Sequence, residues 1–237
     1  LAVLPQDTEP PTEIPLHYDT KTKDHGMKHD PFKAVVAPRP IGWISSVSPE
    51  GILNLAPYSF FNIVSDEPHM VMFSSGGRKD TQRNIEASGE FTCSLVTDAL
   101  RENMNMTSAA VSPDVDEFKL AGVTPAPSVY VKPPRVAESP VALECKLWKT
   151  VSLPPPHGQT ESFWTVMFGL VVGVYIDDQY IRDGRVDTVA LRPVSRLGYM
   201  DYSVVTPESI FRINRPTVGP DGHEAKVEDK PWDGVYR

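Results

Sequence analysis

Residues 74–84 concentrate the side chains best suited to chemistry. Ser74, Ser75, Gly76 and Gly77 lead into Arg78-Lys79-Asp80-Thr81, and a helical pattern over residues 81–88 stops at Gly89. A helix start presents free backbone N–H groups and a partial positive charge. Small residues let a ligand approach the backbone closely, and Ser74, Ser75 and Thr81 add hydroxyl donors. Arg78, Lys79 and Arg83 supply positive charge. Together these features suit a phosphate monoester. The segment is not a Walker A loop, because Lys79 stands between Arg78 and Asp80. The same residues also fit an ordinary polar loop with Asp80 as the helix N-cap.

Strand-like runs must position this segment. Residues 41–47 and 52–61 are rich in β-branched and aromatic residues, and Ser48-Pro49-Glu50-Gly51 between them has hairpin-turn chemistry. In the first run Trp43, Ser45 and Val47 share one face, and Gly42, Ile44 and Ser46 the other. Residues 55–61 are apolar on both faces, which predicts cover from two sides, by a second subunit or by a helix of the same chain. Residues 69–73 form a third run, and residues 34–36 and 91–96 read as further strands. Asp98 is suited to cap a helix through Leu100 and Met104. A second helix is expected to start at Ser112-Pro113-Asp114 and stop at Gly122. Residues 124–134 hold four prolines and read as an extended connector.

Residues 141–151 alternate, with Val141, Leu143, Cys145 and Leu147 inward and Glu144 and Lys146 outward. A loop at 154–158 leads to a long strand over 163–176, where Gly169 and Gly173 predict a bend or bulge. The expected layout is an extended tail at 1–30, one domain at 31–212 and a polar extension at 213–237.

Three segments carry a resemblance. RPIGWISS (39–46), NLAPYSFF (54–61) and KDTQRN (79–84) resemble the flavin reductase-like family of FMN-binding split barrels, which includes flavoredoxins and the reductase components of two-component flavin monooxygenases. DEFKLAG (116–122) and the Val194–Gly198 region with Tyr202 are also similar to the family. The resemblance spans residues 32–202. It implies a mainly β fold, a six-stranded Greek-key split barrel with a few short helices. It also implies a homodimer with FMN near its interface. On this reading Ser74, Arg78, Lys79 and Thr81 are the phosphate candidates. Ser45, Ser46 and Val47 would meet the ribityl chain or ring edge. Ala56, Pro57, Tyr58 and Ser59 would present backbone donors to the ring, with Asn54 and Phe61 as weaker candidates. Arg196 would reach the site from the partner subunit. Tyr58, Phe60 and Phe61 also read as ordinary core aromatics.

Composition narrows the function. A formal charge of −8 over 237 residues argues against a nucleic-acid groove. No apolar run has membrane-spanning length, and no secretory segment opens the sequence. His25 and His29 read as solvated histidines rather than metal ligands. Cys93 and Cys145 lie in strand-like runs and are expected as buried free thiols, which suits a cytoplasmic setting. No GxSxG elbow or GxGxxG fingerprint is present. The resemblance therefore implies an NAD(P)H-dependent flavin reductase that passes hydride from nicotinamide to flavin N5, with a monooxygenase as acceptor of the reduced flavin. An FMN-carrying electron-transfer protein is the alternative. An oxidase of the kind acting on pyridoxamine phosphate ranks lower.

Overall fold

The computed structural model describes residues 16–228, 230, 231 and 234. Parts of the expected tail and C-terminal extension therefore lie outside the described residues. Seven strands form the main antiparallel sheet. They are β2 (Gly42–Val47), β3 (Leu53–Tyr58), β4 (Phe61–Asp66), β5 (His69–Gly76), β6 (Glu90–Leu95), β7 (Val141–Ser152) and β8 (Trp164–Ile176). Their spatial order is β3-β2-β6-β7-β8-β5-β4. The two outer strands, β3 and β4, are consecutive in the chain and joined only by Ser59 and Phe60. The sheet must curl to bring these edges together. The Ser74 amide donates to the Phe60 carbonyl at 2.8 Å, extending the β4–β5 ladder into the junction. The barrel is thus split, with seven strands in its sheet where the resemblance implied six.

A second small sheet holds β1 (Arg39–Pro40), β9 (Val194–Arg196) and β10 (Tyr202–Val204) in the order β1-β9-β10. The helices that matter here are α1 (Phe32–Val35), α2 (Asp80–Ser88), α3 (Arg101–Met106) and α4 (Glu117–Ala121).

Alternation along β2 divides the interior into two cores. Ile44 points into the barrel with Val71, Phe73, Phe91, Cys145 and Met167, and Ile85 of α2 plugs that core. Trp43 points the other way, with Leu55, Leu100, Met104 and Phe118. Each such fully buried side chain contributes about 1.5–3 kcal/mol. Trp43 also donates from Nε1 to Thr107 Oγ1 at 2.9 Å, so its one polar atom is satisfied.

Several expectations need correction. Residues 34–36 are not a strand, because α1 spans Phe32–Val35. The run 52–61 is two strands broken at Ser59-Phe60. The second cover on β3 comes from the same chain, since Leu55 packs with Phe118 of α4 and Met104 of α3. That strand therefore gives no support to a second subunit. Helix α4 starts at Glu117, capped by the Asp116 side chain, and ends at Gly122 with φ 66°. Glu144 is buried rather than outward. Its carboxylate accepts from the Val129 and Tyr130 amides, so the proline-rich connector lies over it. The long strand does bulge, with register shifts at Phe168/Gly169 and Val171/Gly173. A Cβ at Gly169 would collide with the Phe91 ring. Cys93 and Cys145 are buried free thiols, and burial pushes the Cys93 thiol up to about 12. Among the described residues no helix is long and apolar enough to cross a membrane.

Candidate functional site

A cleft of about 850 Å³ opens between the split of the barrel and the small sheet. Its size suits a cofactor or small molecule. Its lining draws on several elements, three of which carry the polar groups of interest. The β3–β4 junction contributes Pro57, Tyr58, Ser59 and Phe60. The β5–α2 junction contributes Ser74, Gly76 and Lys79. The small sheet and its loops contribute Arg39, Arg196, Tyr199 and Tyr202.

The β5–α2 junction retains its chemical promise in part. Helix α2 begins at Asp80, one residue earlier than expected, with Lys79 rather than Asp80 at the N-cap and no side-chain cap. Gly89 closes it in the left-handed region at φ 71°. Ser74 Oγ is buried at the cleft without a hydrogen-bond partner. A buried hydroxyl without a partner costs about 1–3 kcal/mol, so a ligand that bonds it recovers that cost. Lys79 is exposed on the cleft wall. Arg78 is turned away and pairs with Glu86 at 2.8 Å. Arg83 pairs with Asp80.

Thr81 and Ser46 are committed elsewhere. Asn54 Nδ2 donates to Thr81 Oγ1 at 2.9 Å and to Ser46 Oγ at 3.2 Å, and Asn84 Nδ2 donates to Ser46 Oγ at 3.2 Å. This buried cluster fastens α2 to β2 and β3. Of the residues read from the sequence, the cleft wall gathers Pro57, Tyr58, Ser59, Ser74, Lys79 and Arg196. Ser45, Ser46, Val47, Ala56, Arg78 and Thr81 are not on it. Ser45 is fully buried on the Trp43 face, and its Oγ has no partner. Val47 and Ala56 are half-buried.

Burial raises the Tyr58 hydroxyl pKa, while nearby Thr81 and Ser75 pull it back. Glu117 lies behind β3, where its carboxylate accepts from the Leu55 amide at 3.2 Å. Burial likewise raises its pKa. That contact satisfies an edge amide, and Pro57 two residues on has no amide to satisfy.

The sequence reading missed an aromatic wall. Phe60 packs against Trp164 with ring centroids 5.2 Å apart, and Phe163 packs edge-on to Trp164 at 5.5 Å. Paired aromatics at the start of a strand, straight after a proline loop, were the available signal. Arg196 reaches the cleft within the same chain as Ser74 and Lys79.

The model of the flavin reductase like domain matches residues 36–190. The chain belongs to the flavin reductase-like family. An uncharacterised protein of Aquifex aeolicus is 40% identical over 189 residues, covering 77% of this chain and 92% of the relative. Nitrilotriacetate monooxygenase component B from Bacillus cereus superposes with a TM-score of 0.77 at 29% identity, covering 85% of this chain and 100% of that one. The 2-nitrobenzoate 2-nitroreductase of Pseudomonas fluorescens superposes at 0.74 and 28% identity, covering 86% of this chain and 98% of that one. A flavoredoxin of Desulfovibrio vulgaris shares the fold at a TM-score of 0.64 and 24% identity, covering 72% of this chain and 88% of that one. The cleft wall carries the unsatisfied Ser74 hydroxyl, Lys79 and the aromatic side chains of Phe60, Phe163 and Trp164.

Proposed function

We propose that the chain is an FMN-binding, NAD(P)H-dependent flavin reductase that works as a homodimer and delivers reduced flavin to an oxygenase. The observation that carries this reading is the buried, unpartnered Ser74 Oγ, which shares the cleft wall with Lys79. Similarity to a monooxygenase component B supports the oxygenase partner.

Ser74 and Lys79 would hold the phosphate, with the first free amides of α2 adding donors. Thr81, Ser46 and Asn54 would act from behind, by fixing where that helix begins. Pro57, Tyr58 and Ser59 would form the wall along the ring. Bound FMN would supply the two-electron redox chemistry. The chain's own task is to orient that group, to keep water from one face, and to leave the other open. Phe163 and Tyr199 are exposed at the cleft, and cover by a second copy would bury such surface. Light scattering at micromolar concentration tests that dimer.

The test of activity is anaerobic mixing of the FMN-loaded protein with NADH and with NADPH, followed by flavin absorbance. Bleaching by either supports the reductase. Bleaching by dithionite alone would leave an electron carrier in its place.

A further inference from the structure

Past the small sheet the chain runs into an arm. Residues 207–228 lie beyond residues 36–190, where the family model matches. Two short strands of the arm, Thr217–Val218 and Ala225–Lys226, pair with each other, and Asn214 Nδ2 donates to the carbonyls of Glu228 and Lys230. The last backbone bond to the domain is the Val205 amide on the Pro193 carbonyl at 3.1 Å. Beyond it, among the described residues, the hydrogen bonds of the arm stay within residues 206–230.

Residues 210–215 read Ile-Phe-Arg-Ile-Asn-Arg. Phe211 and Ile213 are each 79% exposed, and Ile210 is exposed as well. One exposed apolar side chain is ordinary, but three so close together make a patch that favours a partner. The stretch also holds two cations and no carboxylate. Among the described residues neither Arg212 nor Arg215 is in an ion pair.

The tip of the β4–β5 hairpin is the counterpart. Asp66 and Glu67 are exposed there, and among the described residues neither is in an ion pair. Beside them Ile63 is 62% exposed and Val64 45%. Open apolar side chains thus adjoin two unpaired carboxylates on the hairpin and two unpaired guanidinium groups on the arm. Both surfaces stay exposed within a single chain.

The occupant that fits is a second copy. The chain carries −8, so its basic, apolar arm complements another copy of its own acidic surface. The arm is rooted at β10, and Tyr202 of that strand lines the cleft, where a second copy would cover Phe163 and Tyr199. The hairpin tip stands one strand length from the cleft end of β4, about 20 Å for its 6 residues. An extended stretch such as residues 207–216 spans up to about 33 Å, which is enough to reach a neighbour's hairpin.

We propose that residues 210–215 of one copy dock on the β4–β5 hairpin of a second copy. Ile210, Phe211 and Ile213 pack on Ile63 and Val64, while Arg212 and Arg215 face Asp66 and Glu67. The exchange is reciprocal, so a dimer holds two such clasps. The clasp rests on the homodimer reading and names the segment that ties the copies together.

Charge reversal in the full chain tests it. One variant carries Arg212→Glu and Arg215→Glu, the other Asp66→Lys and Glu67→Lys, both with unchanged far-UV spectra. Sedimentation velocity over a concentration series reads association. Each variant alone should associate at least about tenfold more weakly than wild type, because like charges then meet. An equimolar mixture should regain wild-type association, since each arm then faces the opposite charge on the other chain. Raised salt should shrink both effects. Wild-type association in both variants overturns the clasp, leaves the arm to a different protein and leaves the homodimer standing. A mixture no stronger than either variant places the arm on its own chain and also overturns the clasp. A wild type that stays monomeric at every concentration sinks the clasp and the homodimer together.

Discussion

Two polar groups of residues meet at the start of α2, and they are built differently. Behind the helix, Ser46, Asn54, Thr81 and Asn84 are buried and bonded to one another. In front of it, Ser74 Oγ is buried and unbonded, and Lys79 faces the cleft without an acidic partner among the described residues. Lys79 and Thr81 are only two residues apart. A polar group that has found its partners inside the chain holds the fold, and one left without them is available to a ligand. The contrast separates structure from function within one short segment.

The largest expected effect falls on the open side. Lys79→Ala should weaken FMN binding by roughly tenfold to a hundredfold, the worth of a charge-assisted hydrogen bond of about 1.5–3 kcal/mol. Riboflavin affinity should barely move. Parallel titrations with the two flavins check this, and equal weakening would make Lys79 structural.

The closed side should respond in stability. Asn54→Ala removes the donor to Thr81 and one of the two donors to Ser46 and should cost about 1–3 kcal/mol by urea denaturation. Any loss of FMN affinity should follow the loosened start of α2. A variant as stable as wild type would show that the cluster behind the helix holds nothing.

Glu117 gives a smaller effect that depends on pH. Its pKa is raised in the folded state by burial, so the folded protein holds the proton more tightly than the unfolded chain. The resulting stabilisation is fully present below the unfolded-state pKa and is lost as pH rises through the raised one. Glu117→Gln keeps an acceptor for the Leu55 amide and removes this titration. The melting temperature of wild type relative to the variant should therefore rise as pH falls through the carboxylate range. Parallel slopes would place the titration elsewhere.

The smallest effect belongs to Arg78. Its side chain is 68% exposed and paired with Glu86, and surface pairs are worth about 0–1 kcal/mol. Arg78→Ala should change FMN affinity by less than about threefold. A loss as large as that of Lys79→Ala would mean that Arg78 swings to the ligand.

Local pattern carried the fold a long way. The hairpin at 48–51, the stop at Gly89 and the bulges at Gly169 and Gly173 follow from turn chemistry and alternation. The second strand hidden in 52–61 does not, because aromatic residues continue across Ser59-Phe60 and the break is set by the curl of the sheet. Glu144 also misled. Its alternation pointed outward, and only the connector folded over it makes it buried. At the site, sequence spacing brought out Ser74 and Lys79 but could not say which cation in 78–83 is spent on a neighbour. That depends on where Glu86 and Asp80 fall around one helix turn. The pairing of Arg39 with Arg196 across the small sheet is long-range, and nothing local to either residue announces it.

Calorimetric titration of the purified protein with FMN and with riboflavin tests the central claim most directly. If Ser74 and Lys79 form a phosphate site in a flavin cleft, FMN binds at least about tenfold tighter, since the two ligands differ only by the group those residues would hold. Equal affinity for the two, or no affinity for either, contradicts the account.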